Sequence, residues 1–284
     1  MTVPETTDSL LARVAMADQS AFQLLYSRTS GALFGLCYHL IDDHAEAETC
    51  LQDLFTAIWQ NADAFRDGDL APMARLVIEA RAAAIAIKRV RFSPTDTVDT
   101  RDLFTGPGTD HETTQDTMTL DACLRDLQPA RALLLRRVCL DGDGYGDLAA
   151  ASDVEASTVR ASLQKALNTV GTCLMPDRTV SVTAAEYALC LLPELEAEQF
   201  EAKLADEPEA AAEVALWHAR LAEFILATLP PKTPPPQLLR RLKADVFSAP
   251  RTAIWQQIWP YAVGGGIAAL VLWLAVSSNV LVGF

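Results

Sequence analysis

The chain has 284 residues, half of them hydrophobic, with 23 basic and 37 acidic side chains and a net charge of −14. That length allows two or three small domains with separate cores, and the acidic balance excludes broad nonspecific affinity for nucleic acid or anionic lipid. Any DNA contact must come from a local basic patch. Runs rich in Ala and Leu, with few β-branched clusters, predict an all-α fold. The six cysteines, Cys37, Cys50, Cys123, Cys139, Cys173 and Cys190, include no Cys-x-x-Cys pair. They read as small buried hydrophobes in a reducing compartment rather than as a disulfide framework. The N-terminus has no basic region followed by an apolar one, so no signal peptide is expected.

Residues 8–92 read as a first helical unit. Leu10, Leu11, Val14, Phe22, Leu25 and Tyr26 recur at helical spacing, and a second helix is expected over about 32–40 through Leu33, Leu36, Cys37 and Leu40. Asp42 or Asp43 can cap a third, whose apolar stripe is Cys50, Leu51, Leu54, Phe55, Ile58 and Trp59, with Glu46, Glu48 and Asp53 outside it. A fourth runs from Pro72, tolerated in a first turn, to about Val90. Periodicity alone predicts four helices and no particular function. Residues 93–119 are rich in Asp, Thr, Gly and Pro, with Gly106-Pro107-Gly108 at their middle, and predict a flexible acidic linker.

Residues 120–174 are better punctuated. Leu120, Cys123, Leu124 and Leu127 form one stripe, Pro129 starts the next helix, and Leu133, Leu134, Val138 and Leu140 follow. The break Asp141-Gly142-Asp143-Gly144 reads as a turn, since the further oxygen ligands of a calcium loop are missing. From Tyr145 to Leu167 the run fits a helix-turn-helix. Ala149 is small where the helices cross, Asp153 suits the left-handed turn position, and Val154 and Val159 pack between the helices. Ser157, Thr158, Arg160, Gln164 and Lys165 lie on or near the outward face of the second helix, placed to enter a major groove. An ordinary helical hairpin is the alternative from the pattern alone.

After a short polar joint at 175–183, residues 184–228 predict three short amphipathic helices. Tyr187, Leu191, Leu192, Phe200, Leu204, Trp217 and Leu221 give them more apolar length than a tiny core needs, which suits a partner groove. Leu-Pro-Pro-Lys-Thr-Pro-Pro-Pro-Gln opens the segment 229–258 and favours a semi-rigid polyproline II spacer. No charged residue follows Arg251, and 259–284 is apolar enough for a transmembrane helix. Trp255, Trp259 and Tyr261 would form an interfacial belt, and Arg240, Arg241, Lys243 and Arg251 would keep the preceding chain cytoplasmic. The expectation is a single-pass protein of the cytoplasmic membrane, with the lipid bilayer as a partner; a buried core helix is the alternative. No phosphate loop, Gly-x-Ser-x-Gly or His-Glu-x-x-His occurs, and His39, His44, His111 and His218 have no metal spacing. No catalytic residue, metal or cofactor is expected.

Residues 18–174 together resemble the extracytoplasmic-function class of RNA polymerase sigma factors. Ala21-Phe22-x-x-Leu25-Tyr26 is similar to that family's opening helix. Glu46-Ala-Glu-Thr-Cys-Leu-Gln52-Asp53-Leu-Phe55-Thr-Ala-Ile-Trp59 is similar to its polymerase-binding helix, and the run from Pro129 to Leu167 to its promoter-reading domain. The resemblance implies that Glu46, Glu48, Gln52, Asp53, Phe55 and Trp59 bind polymerase. It also implies that Arg81, Lys88, Arg89 and Arg91, with Ser157, Thr158, Arg160, Gln164 and Lys165, meet promoter DNA. One departure stands out. Between Ala80 and Ile87 the fourth helix has Ala and Ile at most expected polar positions, and Met73 stands near the family's tryptophan. Lost phosphate contacts weaken binding and its salt dependence.

Residues 184–228 resemble the cytoplasmic domain of zinc-independent anti-sigma factors, without the His-x-x-x-Cys-x-x-Cys pattern of the zinc-binding subgroup. This implies that Tyr187, Leu191, Leu192, Phe200, Leu204, Trp217 and Leu221 contact a sigma surface. The combined expectation is two sigma-like helical domains, an anti-sigma-like helical domain and one transmembrane helix. Such a chain would be a membrane-tethered regulator of transcription initiation. It would bind core RNA polymerase and promoter DNA and be held inactive by sigma–anti-sigma pairing within or between chains, until a protease or a competing membrane partner releases it. The alternative is an interaction protein whose degenerate module sequesters polymerase or another sigma factor without reading promoters. A helix-turn-helix regulator unrelated to polymerase is a third.

Overall fold

The structure, a computed structural model, describes residues 5–91 and 119–248. The expected linker up to residue 118 and the apolar segment 259–284 lie outside the described residues. Helices α1 (Thr7–Ala15), α2 (Gln19–Ile41), α3 (His44–Gln60) and α4 (Pro72–Arg91) form the first unit, with a 3-10 turn at Ala62–Phe65. Asp18 caps α2 by accepting the amides of Ser20 and Ala21. That cap starts a helix of 23 residues where the hydrophobic spacing had suggested two. Asp42 and Asp43 divide the next boundary between them. Asp42 takes a left-handed conformation (φ 53°) that ends α2, and the Asp43 carboxylate accepts the Glu46 amide at 3.0 Å to start α3. The central helix α2 packs on α1, α3 and α4, with Phe22, Leu25, Leu33, Leu36 and Cys37 fully buried.

The second unit is α5 (Leu120–Arg125), α6 (Pro129–Asp141), α7 (Tyr145–Ser152) and α8 (Ala156–Leu174). Asp153 takes the left-handed conformation of the turn between α7 and α8 (φ 52°). Val159 is buried there, but Val154 is 42% exposed rather than packed between the helices. The reading of the cysteines is also corrected. Cys123 and Cys173 form a disulfide joining α5 to the end of α8, while Cys37, Cys50 and Cys139 are buried free thiols. The fold brings the two Cα atoms within 5.9 Å across 50 residues of sequence, a pairing that no local spacing reveals.

The third unit is α9 (Val182–Ala188), α10 (Glu194–Leu204) and α11 (Pro208–Thr228). Helix α11 packs on α4 and also on α5, α6 and α9, so the third unit is wedged between the first two. The chain then crosses α2 through the proline segment and enters α12 (Pro236–Ser248), which packs on α3. The proline segment lies against the first unit instead of projecting away as a spacer.

The expected membrane placement is corrected as well. No helix among the described residues is long and apolar enough to cross a membrane. The three longest described helices show why: α2 carries Gln, Ser, Arg and His within its span, α11 carries several Glu with His218 and Arg220, and α4 carries Glu79 with four Arg and Lys88. Among the described residues the fold is all-α with no membrane-spanning helix, and the single-pass localisation is not supported.

Candidate functional site

The basic residues of α4 are engaged by neighbouring parts of the chain, and Arg81 is buried among them. Arg81 is only 1% exposed. Its guanidinium donates to the carbonyls of Val138 (2.6 Å) and Cys139 (3.2 Å) in the last turns of α6, and to Leu189 at the end of α9 (3.4 Å). One side chain thus ties all three units together. Lys88 donates to the Asp141 carbonyl at 2.6 Å and pairs with Asp143 at 2.9 Å. Asp143 in turn binds Arg137 at 2.6 Å. The turn holding both acids depends on Gly142, which ends α6 with a positive φ of 67°. Arg89 donates to the Cys190 carbonyl, and Arg91 to the Ile41 carbonyl and Glu46.

The second helix of the helix-turn-helix is half engaged. Glu186, on α9 and 3% exposed, accepts from the Tyr145 hydroxyl and from Gln164 (3.1 Å), and pairs with Arg160 at 3.4 Å. Arg160 also pairs with Glu196 on α10 at 2.8 Å and lies over the Tyr145 ring. Ser157, Thr158 and Lys165 remain exposed. The third unit thus places acidic groups on two of the α8 residues that resemblance assigns to DNA, Arg160 and Gln164.

The outer face of α3 is covered by α12. Glu48 binds Arg241 at 3.0 Å, and Gln52 donates to Asp245 at 2.9 Å. Phe247 packs edge-on against Trp59 (4.9 Å between ring centres) and Phe22 (5.8 Å). Phe55 is buried beneath, against Phe22 and Tyr26, while Asp53 stays exposed. The α12 contacts were missed because its basic residues read as juxtamembrane charge. The signal was present in Pro236 at the helix start and in the i, i+4 series Leu238, Leu242 and Val246, all three buried.

The apolar residues expected to contact a sigma surface divide in two. Tyr187 stacks on Phe200 and donates to Glu201, and Leu191 and Leu192 are buried, forming the interior of the third unit. Leu204 is partly covered. Trp217 and Leu221 are buried on α11, with Trp217 against Gly171 of α8. Two titratable groups sit on the facing helices of the α4–α11 seam. Burial pushes the Glu79 carboxyl up to about 7, with Arg75 opposing the shift. Burial, with the Arg81 and Arg75 guanidiniums nearby, pushes His218 down to about 4.

No protein-family model matches the chain. The ECF RNA polymerase sigma factor SigK of Mycobacterium tuberculosis is 32% identical over 78 residues, which is 28% of this chain and 42% of that protein. The SigK protein of Mycobacterium bovis matches to the same extent. SigK of Mycolicibacterium vanbaalenii is 25% identical over 179 residues, covering 59% of this chain and 88% of the relative. In the shorter matches the chain spans under half the length of the curated relatives. These relatives are RNA polymerase sigma factors of the extracytoplasmic-function class, regulators of transcription initiation, and the chain is distantly similar to them over those stretches.

Proposed function

We infer that the chain is a sigma-type transcription factor fused to an inhibitory domain of its own, and that the arrangement described above is its closed state. In the open state α3 binds core RNA polymerase, and α4 and α8 meet promoter DNA. One observation carries this reading. Seven of the fifteen residues that resemblance assigns to polymerase and DNA, drawn from all three of the helices concerned, are engaged by the third unit and α12: Glu48, Gln52 and Trp59 on α3, Arg81 and Arg89 on α4, and Arg160 and Gln164 on α8. Covalent linkage holds inhibitor and target at an effective concentration on the order of millimolar, so modest contacts suffice to keep the chain closed.

The test uses the full chain with a specific protease site placed in the largely exposed turn at 176–180. Cutting and diluting it turns an intramolecular contact into a bimolecular one. The cut, dissociated protein then binds core RNA polymerase and initiates from a promoter, while the uncut chain does neither. Failure of the released module to bind core polymerase overturns the reading.

A second reading has its own support. Ala80, Ala84 and Ile85 are buried, so the alanine-rich stretch of α4 serves close helix packing. In that reading the module sequesters polymerase or another sigma factor without reading promoters. Salt-titrated binding of the released module to promoter and random duplexes separates the two. Equal affinities favour sequestration, and a promoter preference removes it.

A further inference from the structure

The segment 229–235 is held on α2 by a small set of contacts unlike the rest of the interior. The Lys232 amide donates to the Gly31 carbonyl at 2.9 Å. The Lys232 ammonium sits 3.3 Å from the centre of the Tyr38 ring, a cation–π contact. At Gly35 the backbone of the segment presses directly on the helix. A Cβ there would stand 2.6 Å from the Pro230 carbonyl oxygen, 3.2 Å from the Lys232 nitrogen and 3.4 Å from the Pro231 Cα. All three are main-chain atoms, so no rotamer relieves the overlap. Gly31 is different: its added Cβ would find Lys232 and Pro231 at 3.7 and 3.8 Å, an ordinary contact.

Residues 230–233 are otherwise exposed, so this crossing is superficial as well as close. Its four prolines limit the conformations open to a detached segment and lower the entropic cost of holding it extended. It is also the only covalent path from the end of α11 at Thr228 to the start of α12 at Pro236. A helix of 13 residues is marginal alone, so α12 depends on being delivered to α3 in register. Its contacts there, Arg241 to Glu48 and Asp245 to Gln52, are exposed, and Lys243 reaches Gln23 of α2 at 2.8 Å.

We propose that the groove of α2 formed by Gly31, Gly35 and Tyr38 is a latch site for the proline segment, and that seating there decides whether α12 covers α3. Events that unseat the segment open the α3 face while leaving the α4–α11 seam closed. The importance of that face rests on the function proposed above; the latch itself does not.

Hydrogen exchange on the full chain tests this. A backbone overlap of the Gly35 kind costs enough to raise α12 exchange by about tenfold or more in Gly35→Ala. Gly31→Ala leaves α12 protected, and both variants keep the protection of α1, α3 and α4, since Ala favours a helix over Gly. Lys232→Glu, which leaves α2 untouched, raises α12 exchange by a smaller factor, about threefold. Unchanged α12 protection in Gly35→Ala overturns the latch, and so does an equal rise in Gly31→Ala. Should Gly35→Ala loosen α2 as well, Lys232→Glu decides alone, and unchanged α12 protection there overturns the latch. Adding core RNA polymerase separates the two claims. If Gly35→Ala frees α12 without gaining polymerase binding, the latch stands and the assignment of α3 falls.

Discussion

Two surfaces of the first unit are covered by the C-terminal part of the chain, and they are built differently. Where α4 meets α11, α6 and α9, the seam has the character of a core. Trp217 is nearly fully buried, Arg81 is sealed from solvent, and Glu79 is held with almost no exposure. Where α12 meets α3, a thin apolar line of Leu238, Leu242 and Val246 is flanked by the Arg241–Glu48 ion pair, the Gln52–Asp245 hydrogen bond and one aromatic edge from Phe247. Parting the first surface costs the burial of Trp217 and the hydrogen bonds of Arg81. The second exchanges its polar contacts for water at little cost. The difference teaches that closure comes in two grades, a deep seam that opens only when the whole third unit is released and a shallow cover that can cycle.

The largest expected effect comes from the deep seam. Arg81→Ala strands three buried carbonyls and costs about 3–5 kcal/mol, read as loss of protection in the slowest-exchanging α4 and α11 amides. Arg81→Lys keeps the charge but offers a compact ammonium in place of the forked guanidinium, and loses less. A result within experimental error of wild type would erase the distinction between the two surfaces. Next is the Cys123–Cys173 disulfide, which ties α5 to the end of α8 within the second unit. Reducing it is expected to cost about 2–4 kcal/mol for a loop of this size, measured by denaturant unfolding with and without reductant, and α12 exchange should not follow.

Third is a pH effect confined to the deep seam. Glu79 has its folded value raised from 4.5 to about 7, so the folded chain holds a proton that the unfolded chain releases, and stability falls as pH rises across that window. His218 has the opposite sign: its folded value is depressed from 6.5 to about 4, so stability falls as pH drops through that range. The two slopes offset each other in their overlap, leaving the Glu79 loss visible from about pH 6.5 upward. Glu79→Gln therefore stabilises at pH 8, by up to about 3 kcal/mol, and changes little at pH 5. Equal effects at both pH values would exclude the buried carboxyl as the cause. The smallest effect belongs to the cover. Arg241 is about half exposed where it meets Glu48, so Arg241→Ala should weaken α12 by only about 0.2–1 kcal/mol, and by less in high salt. Exchange of α12 amides at two salt concentrations measures it.

Much of the first two units was legible in the residues. Asp43 ahead of the Cys50–Trp59 stripe marked α3, Pro72 marked α4, and Asp153 marked the turn between α7 and α8, because caps and turns are local chemistry. What stayed hidden depends on distant partners. Nothing in the sequence singles out Gly35, yet its missing side chain admits the proline segment. Arg81 read as a surface cation on an alanine-rich helix, because nothing nearby announces the carbonyls of Val138, Cys139 and Leu189. Cys123 and Cys173 share no motif, and Glu186 shows its partners only once α9 lies beside α8. The apolar tail drew the reading of Arg240, Arg241 and Lys243 toward a bilayer, when the same stretch carried the spacing of a helix for α3.

Arg81 has a last consequence. Its donors meet the carbonyl ends of two helices, α6 and α9, where peptide dipoles converge with their negative poles. A guanidinium does not give up its proton in the physiological range, so acidity has no grip on this junction. Tuning by pH can strain the surroundings through Glu79 and His218, but the pin itself yields only to force, to a competing donor or to unfolding.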